Sequence, residues 1–338
     1  MMKRIRVLVI DDSLVFRETV ARGIGTDKLI EVVGTAGDVF DARDKIIDLE
    51  PDVLTLDVEM PRMNGIEFLR LLMPQYPLPV VVVSSASDSV FDSLDAGAVD
   101  FVSKPDVRGG RGMESFIQEL IVKIKIASVA KVAHRKLDRP VSSIASREKD
   151  WIIAIGASTG GTDAVLDVIR AFSAEMPPVL VVQHMPPVFT KLYAQRLNAS
   201  CAMVVKEAEH GDAVIQGRVL IAPGDKQMKI VRKGNGYAVE CYVGDKVNGH
   251  CPSVDVLFNS VADAAGERAI GIILTGMGYD GAKGLLRMKQ RGAFTIGQDE
   301  SSSVVYGMPK VAYDVGAVEK QASLKNIPNI VAKHLSGD

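Results

Sequence analysis

Two groups of residues in this 338-residue chain have the types and spacing to do chemistry. The first is acidic, with one lysine. Asp11-Asp12 closes one apolar run, Asp57 closes another, Ser84 a third, and Lys104-Pro105 follows a fourth. Carboxylates brought together cannot all stay ionised cheaply without a cation. A hard divalent ion such as Mg²⁺, which prefers oxygen ligands, resolves the conflict. A lysine offers mobile positive charge to an incoming anion. A carboxylate beside a metal and a lysine can attack a phosphoryl group, because both stabilise charge on the transferring oxygens. Each piece alone has a plainer reading: an N-cap for DDS, a turn aspartate for Asp57, loop surface for Lys104. Their joint placement at the ends of apolar runs is what points to a site.

The second group begins at Gly156-Ala157-Ser158-Thr159-Gly160, which fits G-x-S-x-G between an apolar run and a helix start. A sharp turn there exposes a serine hydroxyl beside helix N-terminal amides, and such amides can stabilise an oxyanion. A bare helix cap by Ser158 or Thr159 competes with this reading. A dinucleotide loop fits worse, because Ser158 stands where its second glycine belongs. A serine needs a base. Of the five histidines, His134 falls in a polar basic stretch, His210 and His250 in loop-like segments, and His334 near the polar C-terminus. His184 directly follows the apolar run PVLVVQ and is the best candidate, with a backbone-satisfied loop histidine as the alternative. Asp280, just beyond IGIILTG, is the candidate orienting acid, and it could also cap the helix that follows. The order Ser158, His184, Asp280 differs from that of the α/β-hydrolases, chymotrypsin and subtilisin. A hydrolase-like order would need His334 as the base.

These residues need strands to hold them. Runs at 5–10, 30–36, 52–57, 79–84 and 98–103 read as strands, alternating with helices near 14–24, 39–49, 64–73, 88–96 and 113–126. That alternation predicts a parallel, doubly wound sheet, with ligands beyond the carboxyl ends of its strands. The second half repeats the logic with strands at 151–156, 178–183, 218–223 and 269–276, and a hairpin over 229–243 turning at Gly234-Asn235-Gly236. Its helices follow Gly161, lie near 190–198 and 254–265, and follow Gly281. The fold class is therefore α/β: two doubly wound parallel-sheet domains, one flavodoxin-like and one Rossmann-like with a β-hairpin. The domains are placed at 1–124 and 150–338, with a linker over 125–149 that starts helical.

Composition removes several function classes. Hydrophobic residues make up 47% and charged residues 24%, as in ordinary globular proteins. The net charge of −2 argues against a basic nucleic-acid coat. No run approaches the length that spans a bilayer, and MMKRIRVLVIDD is too short in its apolar part for a signal peptide. Cys201, Cys241 and Cys251 are odd in number and lack metal-type spacing, which argues against a disulfide scaffold or structural zinc. A cytoplasmic protein is the expectation. There is no P-loop or basic recognition helix, so a transcriptional regulator is disfavoured. A non-catalytic binding module remains open, and it would not need Ser158, His184 and Asp280 together.

Over about residues 3–124 the chain resembles the response-regulator receiver domain, on Asp11-Asp12, Asp57, Met60-Pro61, Asn64-Gly65, Ser84, Gly97-Ala98, Asp100-Phe101 and Lys104-Pro105. The resemblance implies phosphorylation on Asp57. It implies Mg²⁺ held by Asp11, Asp12, Asp57 and the Glu59 backbone carbonyl, with Ser84 and Lys104 as the phosphate-switch residues. Ser84-Ser85, where many receivers have Thr-Ala, is a mild variation. The second half resembles the catalytic domain of the chemotaxis protein-glutamate methylesterases, the CheB family. The similar stretches are GASTGGTDA, QHMPPVFT, LIAPGDKQM, GHCPSVDVLF, LTGMGYDGAKGL and GQDESSSVVYGMP. That resemblance implies a triad of Ser158, His184 and Asp280, with oxyanion amides near Thr159 and Met277 and no metal in this half. It further implies hydrolysis of glutamyl methyl esters, and deamidation of glutamines, on methyl-accepting chemoreceptors. A chemotaxis histidine kinase would be the phosphodonor, and no nucleic acid or membrane insertion is implied. In the family pattern, the unphosphorylated receiver shields the catalytic face and phosphorylation of Asp57 releases it.

Overall fold

The computed structural model describes residues 3–85, 87–105, 112–131 and 151–336, with backbone alone for residues 87 and 88. The expected linker beyond residue 131, with His134, lies outside the described residues. The chain divides into two compact units. Among the described residues no helix is long and apolar enough to cross a membrane.

The first unit runs β1 (Ile5–Ile10), α1 (Leu14–Ile24), β2 (Ile30–Ala36), α2 (Val39–Leu49), β3 (Val53–Asp57), α3 (Gly65–Leu72), β4 (Val80–Ser84), α4 (Ser87–Asp95), β5 (Asp100–Ser103) and α5 (Met113–Ala127). Its five strands are parallel in the order β2-β1-β3-β4-β5. The chain leaves β1 toward opposite sheet edges on its two sides, so a crevice opens between β1 and β3 at their carboxyl ends. β3 and β4 are buried along their whole length. Such burial requires apolar side chains on both faces, which Val80–Val83 supply. Polar side chains start the helices. Ser13, Asp38 and Asn64 accept the amides of Phe16, Phe40 with Asp41, and Glu67, respectively. The first residues of the expected linker, 125–127, are the last turn of α5.

The second unit runs β6 (Ile152–Ala157), α6 (Gly161–Arg170), β7 (Val179–Gln183), α7 (Phe189–Ser200), β8 (Val204–Glu207), β9 (Ala213–Val214) and β10 (Arg218–Ile221). It continues with β11 (Gln227–Lys233), β12 (Gly236–Tyr242), α8 (Val254–Ala264), β13 (Ala269–Ile273), α9 (Ala282–Gln290), β14 (Phe294–Gln298), α10 (Met308–Asp314), β15 (Lys320–Ala322) and α11 (Ile327–Ser336). Seven parallel strands form the order β15-β14-β13-β6-β7-β10-β8, and β11-β12-β9 form a small antiparallel sheet. The four expected strands are the central ones. The sheet extends further than periodicity indicates, because β8 and β15 are short edge strands: β8 exposes Val204 and half-buries Lys206 and Glu207, and β15 exposes Lys320 and Gln321. β14 carries Thr295, Gly297 and Gln298 among its five residues. The expected hairpin is present, with Lys233 opposite Gly236 across a two-residue turn in which Gly234 has φ +60°.

The strand order reverses at β6. From it the chain moves outward to β7, while β13, β14 and β15 build the opposite flank. The carboxyl ends of β13, β6 and β7 therefore converge at a switch point.

Candidate functional site

In the first unit Asp11 follows β1, Asp57 ends β3, Ser84 ends β4 and Lys104 follows β5. Oxygens of Asp11, Asp12 and Asp57 lie within 4.8 Å of one another. Asp11 and Asp57 are buried, whereas Asp12 is exposed. Lys104 Nζ donates to Asp11 Oδ2 at 2.9 Å and to Asp57 Oδ2 at 2.7 Å, above the ring of Phe16 at 4.8 Å. Arg17 donates to the Asp11 carbonyl. The Ser13 cap and the Asp11 site coexist, since the Ser13 amide donates to Asp11 Oδ1 at 2.9 Å. The Ser84 hydroxyl lies 3.3 Å from that of Ser89. Glu59 enters through its amide, which donates to Asp57 Oδ1 at 3.1 Å, while its carboxylate accepts from Ser85.

Burial pushes the Asp57 carboxyl up to about 6, with the charge of Asp11 adding to the rise and Lys104 opposing it. One lysine against three carboxylates leaves the pocket net negative, and all its donor atoms are hard oxygens. This donor set fits a hard divalent cation. Gly65 is required by packing: a Cβ there would stand 2.3 Å from the Asp57 carbonyl oxygen.

In the second unit Ser158 directly follows β6. Its amide donates to the Thr275 carbonyl at 3.0 Å, and its carbonyl accepts from Gly161 at 2.7 Å. The N-cap of α6 is Gly160, at φ +73°, with no side-chain cap. The bare-cap reading of Ser158 and Thr159 therefore falls away. Gly276, in the loop after β13, approaches so closely that a Cβ would lie 2.7 Å from Ser158 Cβ. Met277, the next residue, is partly exposed on that loop, while Thr159 is buried.

His184 follows β7. Ala157 pairs with Gln183 across the β6–β7 ladder, and the His184 amide donates to the Ala157 carbonyl at 3.1 Å. Ser158 and His184 are thus the next residues on adjacent parallel strands. The Gln183 side-chain amide ties them, donating to the Ser158 carbonyl at 2.9 Å and the His184 carbonyl at 3.3 Å. His184 Nε2 lies 2.8 Å from Asp280 Oδ2, with both side chains buried. His184 Nδ1 is buried without a partner. It is the ring nitrogen open to a serine hydroxyl, the reverse of the usual assignment in serine-protease triads.

Asp280 is held by α8. Oδ2 also accepts the Val254 amide at 2.7 Å. Oδ1 accepts Ser253 Oγ at 2.7 Å, Asn248 Nδ2 at 2.8 Å and the Asp255 amide at 3.3 Å. Asp280 thereby satisfies the helix N-terminus that Ser253, the nominal N-cap, leaves without a side-chain cap. Burial alone would raise this carboxyl. The His184 hydrogen bond and charge overrule it, with Asn248 and Ser253 assisting, and hold Asp280 well below the usual carboxylate range.

The structure adds residues that the sequence did not single out. His250 stacks on His184 with ring centroids 3.7 Å apart and planes at 7°. Asn248, Gln183 and Ser253 support the same cluster. In the sequence, residues 249–253 stood out only as part of the family-like stretch GHCPSVDVLF, with no role for the individual side chains, and Asn248 lies just before that stretch. His210 is exposed. His334 is packed rather than fraying, stacked on Phe294 at 4.0 Å and edge-on to Trp151 at 5.1 Å. Those residues open β14 and lead into β6, so His334 belongs to the opposite sheet edge from Ser158.

The turn tolerates little change. A Cβ at Gly161 would stand 2.2 Å from Gln183 Oε1 and 2.7 Å from Ala157 Cβ. Gly161→Ala is expected to cost about 1–3 kcal/mol through overpacking. The melting temperature, followed by fluorescence of the single tryptophan Trp151, should fall by about 3–10 °C. An unchanged melt would show that Gln183 moves aside freely.

The fold and its two clusters define a two-unit α/β protein with a cation-seeking carboxylate pocket and a serine–histidine–aspartate cluster. The response regulator receiver domain model matches residues 7–109, and the CheB methylesterase model matches residues 153–331. The chain belongs to the CheB methylesterase family and carries a receiver domain. It is 59% identical to a protein-glutamate methylesterase/protein-glutamine glutaminase of Syntrophomonas wolfei, covering 98% of each chain. It is 55% identical to the counterpart from Syntrophotalea carbinolica, again over 98% of each. The crystal structure of the Thermotoga maritima CheB methylesterase catalytic domain is 36% identical, with a TM-score of 0.54. That alignment covers 55% of this chain and 98% of the other.

Proposed function

We propose that Ser158, His184 and Asp280 carry out the ester hydrolysis of this chain, a receiver-regulated protein-glutamate methylesterase/protein-glutamine glutaminase of chemotaxis adaptation. The observation that carries the assignment is the convergence of the three residues beyond adjacent strands, with His184 bonded to Asp280 at 2.8 Å. His184 Nδ1 takes the Ser158 proton as Oγ attacks the ester carbonyl. The amides of Thr159 and Met277 hold the oxyanion. The proton passes to the departing methoxide, giving methanol, or to the departing side-chain amide nitrogen of a glutamine, giving ammonia. Water, deprotonated by His184, then releases the carboxylate product and restores Ser158. Asp280 stabilises the imidazolium. The substrates are glutamyl side chains of methyl-accepting chemoreceptors, and the site of action is the cytoplasm.

In the receiver, Asp57 is the phosphoryl acceptor and a chemotaxis histidine kinase the donor. Asp11, Asp12, Asp57 and the Glu59 carbonyl would hold Mg²⁺, which when bound neutralises charge on the phosphoryl oxygens. Lys104 pairs with the new phosphate, and Ser84 responds to it through its hydroxyl. Methanol release from methylated chemoreceptor membranes is expected to rise with a small phosphodonor and Mg²⁺. Asp57→Asn should lose that whole increment, and an increment that persists in the variant would remove Asp57 from the switch.

A further inference from the structure

Asp280 has a second buried carboxylate for a neighbour. Asp255, in the first turn of α8, is only 4% exposed. Its Oδ1 accepts the Gly284 amide at 2.6 Å. Burial pushes its carboxyl up, and the charge of Asp280 pushes in the same direction. Between the two carboxylates stands one amide group. Asn248 Nδ2 lies 2.7 Å from Asp255 Oδ2 and 2.8 Å from Asp280 Oδ1, so it places a hydrogen on each. Asn248 occupies the left-handed region at φ +54°, which asparagine tolerates better than most residues.

We infer that Asn248 is a positioning residue of the hydrolytic site, holding Asp255 and Asp280 apart with one amide so that Asp280 stays anionic and aimed at His184. The inference rests on the assignment of Ser158, His184 and Asp280 above. The titratable groups that meet Asp280 are His184, from the end of β7, and Asp255, from α8. His250 lies behind His184.

The sign of the effect is fixed by charge. The working form of the His184–Asp280 pair carries one negative charge, and its protonated form carries none. A donor stabilises the first more than the second. Removing it raises the proton affinity of the pair as a whole, wherever the proton resides. The unscreened charge of Asp255 acts in the same direction.

Asn248→Gly suits the test, since glycine accepts the positive φ without strain. Methanol release from methylated chemoreceptor membranes is measured against pH for wild type, Asn248→Gly, Asn248→Gly/Asp255→Asn and Ser158→Ala. In Asn248→Gly the plateau kcat is expected to fall about 10- to 100-fold, the scale of a lost hydrogen bond to a charged group. The acid limb of kcat/KM should move up by about one pH unit. Asp255→Asn removes the second charge and presents an amide to Asp280, so the limb should return in the double variant. A limb that stays in place in Asn248→Gly, with or without a lower kcat, overturns the inference. So does a double variant indistinguishable from the single one. Activity surviving in Ser158→Ala would instead overturn the triad assignment.

Discussion

Ser158→Ala is expected to lower kcat for methanol release by about 10⁴–10⁶, the scale seen when a triad nucleophile is removed. The loss should be chemical and not structural. The turn is held by backbone, through the Ser158 amide on Thr275 and the Ser158 carbonyl under Gly161 and Gln183. Alanine keeps all of these. Its Cβ is the same atom that already packs against Gly276. The melting temperature followed at Trp151 should therefore shift by no more than about a degree or two. Phosphorylation of Asp57 by a small phosphodonor should also proceed as in wild type, because it uses residues of the other unit. A variant that keeps more than about a tenth of wild-type kcat would show that Ser158 is not the nucleophile. A variant that loses activity and stability together would leave a structural role for the hydroxyl.

The fold was legible where strands were buried on both faces. Val80–Val83 and Ile152–Ile155 admit no polar residue and read as central strands at once. The chemistry was legible for a related reason: Asp57, Ser158, His184 and Asp280 interrupt or follow such runs, where a polar residue has no packing purpose. Edge strands gave no comparable signal, and Lys320–Ala322 is recognisable only by its pairing with β14. The supporting residues were hidden for another reason. Asn248, Ser253 and His250 lie in an irregular polar segment; the first two act through contacts with Asp280 some 30 residues further on, and His250 through stacking on His184, far earlier in the chain. No local pattern encodes those meetings. His334 shows the converse. Its polar C-terminal neighbourhood suggests an exposed helix end, yet two aromatic rings from distant strands cover it.

Asp280→Asn should be nearly as damaging as loss of the nucleophile, through the hydrogen-bond inventory of one side chain. All five groups around the carboxylate donate to it. An amide must turn its NH₂ toward one of the two sets. Placed at the Oδ2 edge, it opposes the Val254 amide and forces His184 to present a lone pair on Nε2. The ring proton then sits on Nδ1, where it blocks removal of the Ser158 proton. Placed at the Oδ1 edge, it opposes the Asp255 amide and draws Asn248 away from Asp255. Either arrangement also removes the anion that stabilises the imidazolium. Loss of the correct tautomer in a comparable triad costs about 10⁴ in kcat, and a loss of about 10³–10⁴ is expected here. The fold should weaken as well, by about 1–3 kcal/mol for an unmatched buried donor. The dependence on pH has a definite sign. Asp280 is held below its unfolded value near 3.9, so its stabilising contribution is complete above that value and fades as the pH falls toward the lowered one. Denaturant unfolding followed at Trp151 should therefore show wild type more stable than Asp280→Asn at pH 7, with the gap narrowing below about pH 4. A variant with kcat within tenfold of wild type would mean that Asp280 serves α8 and not His184, and a gap that widens in acid would mean that the folded protein does not favour the Asp280 anion.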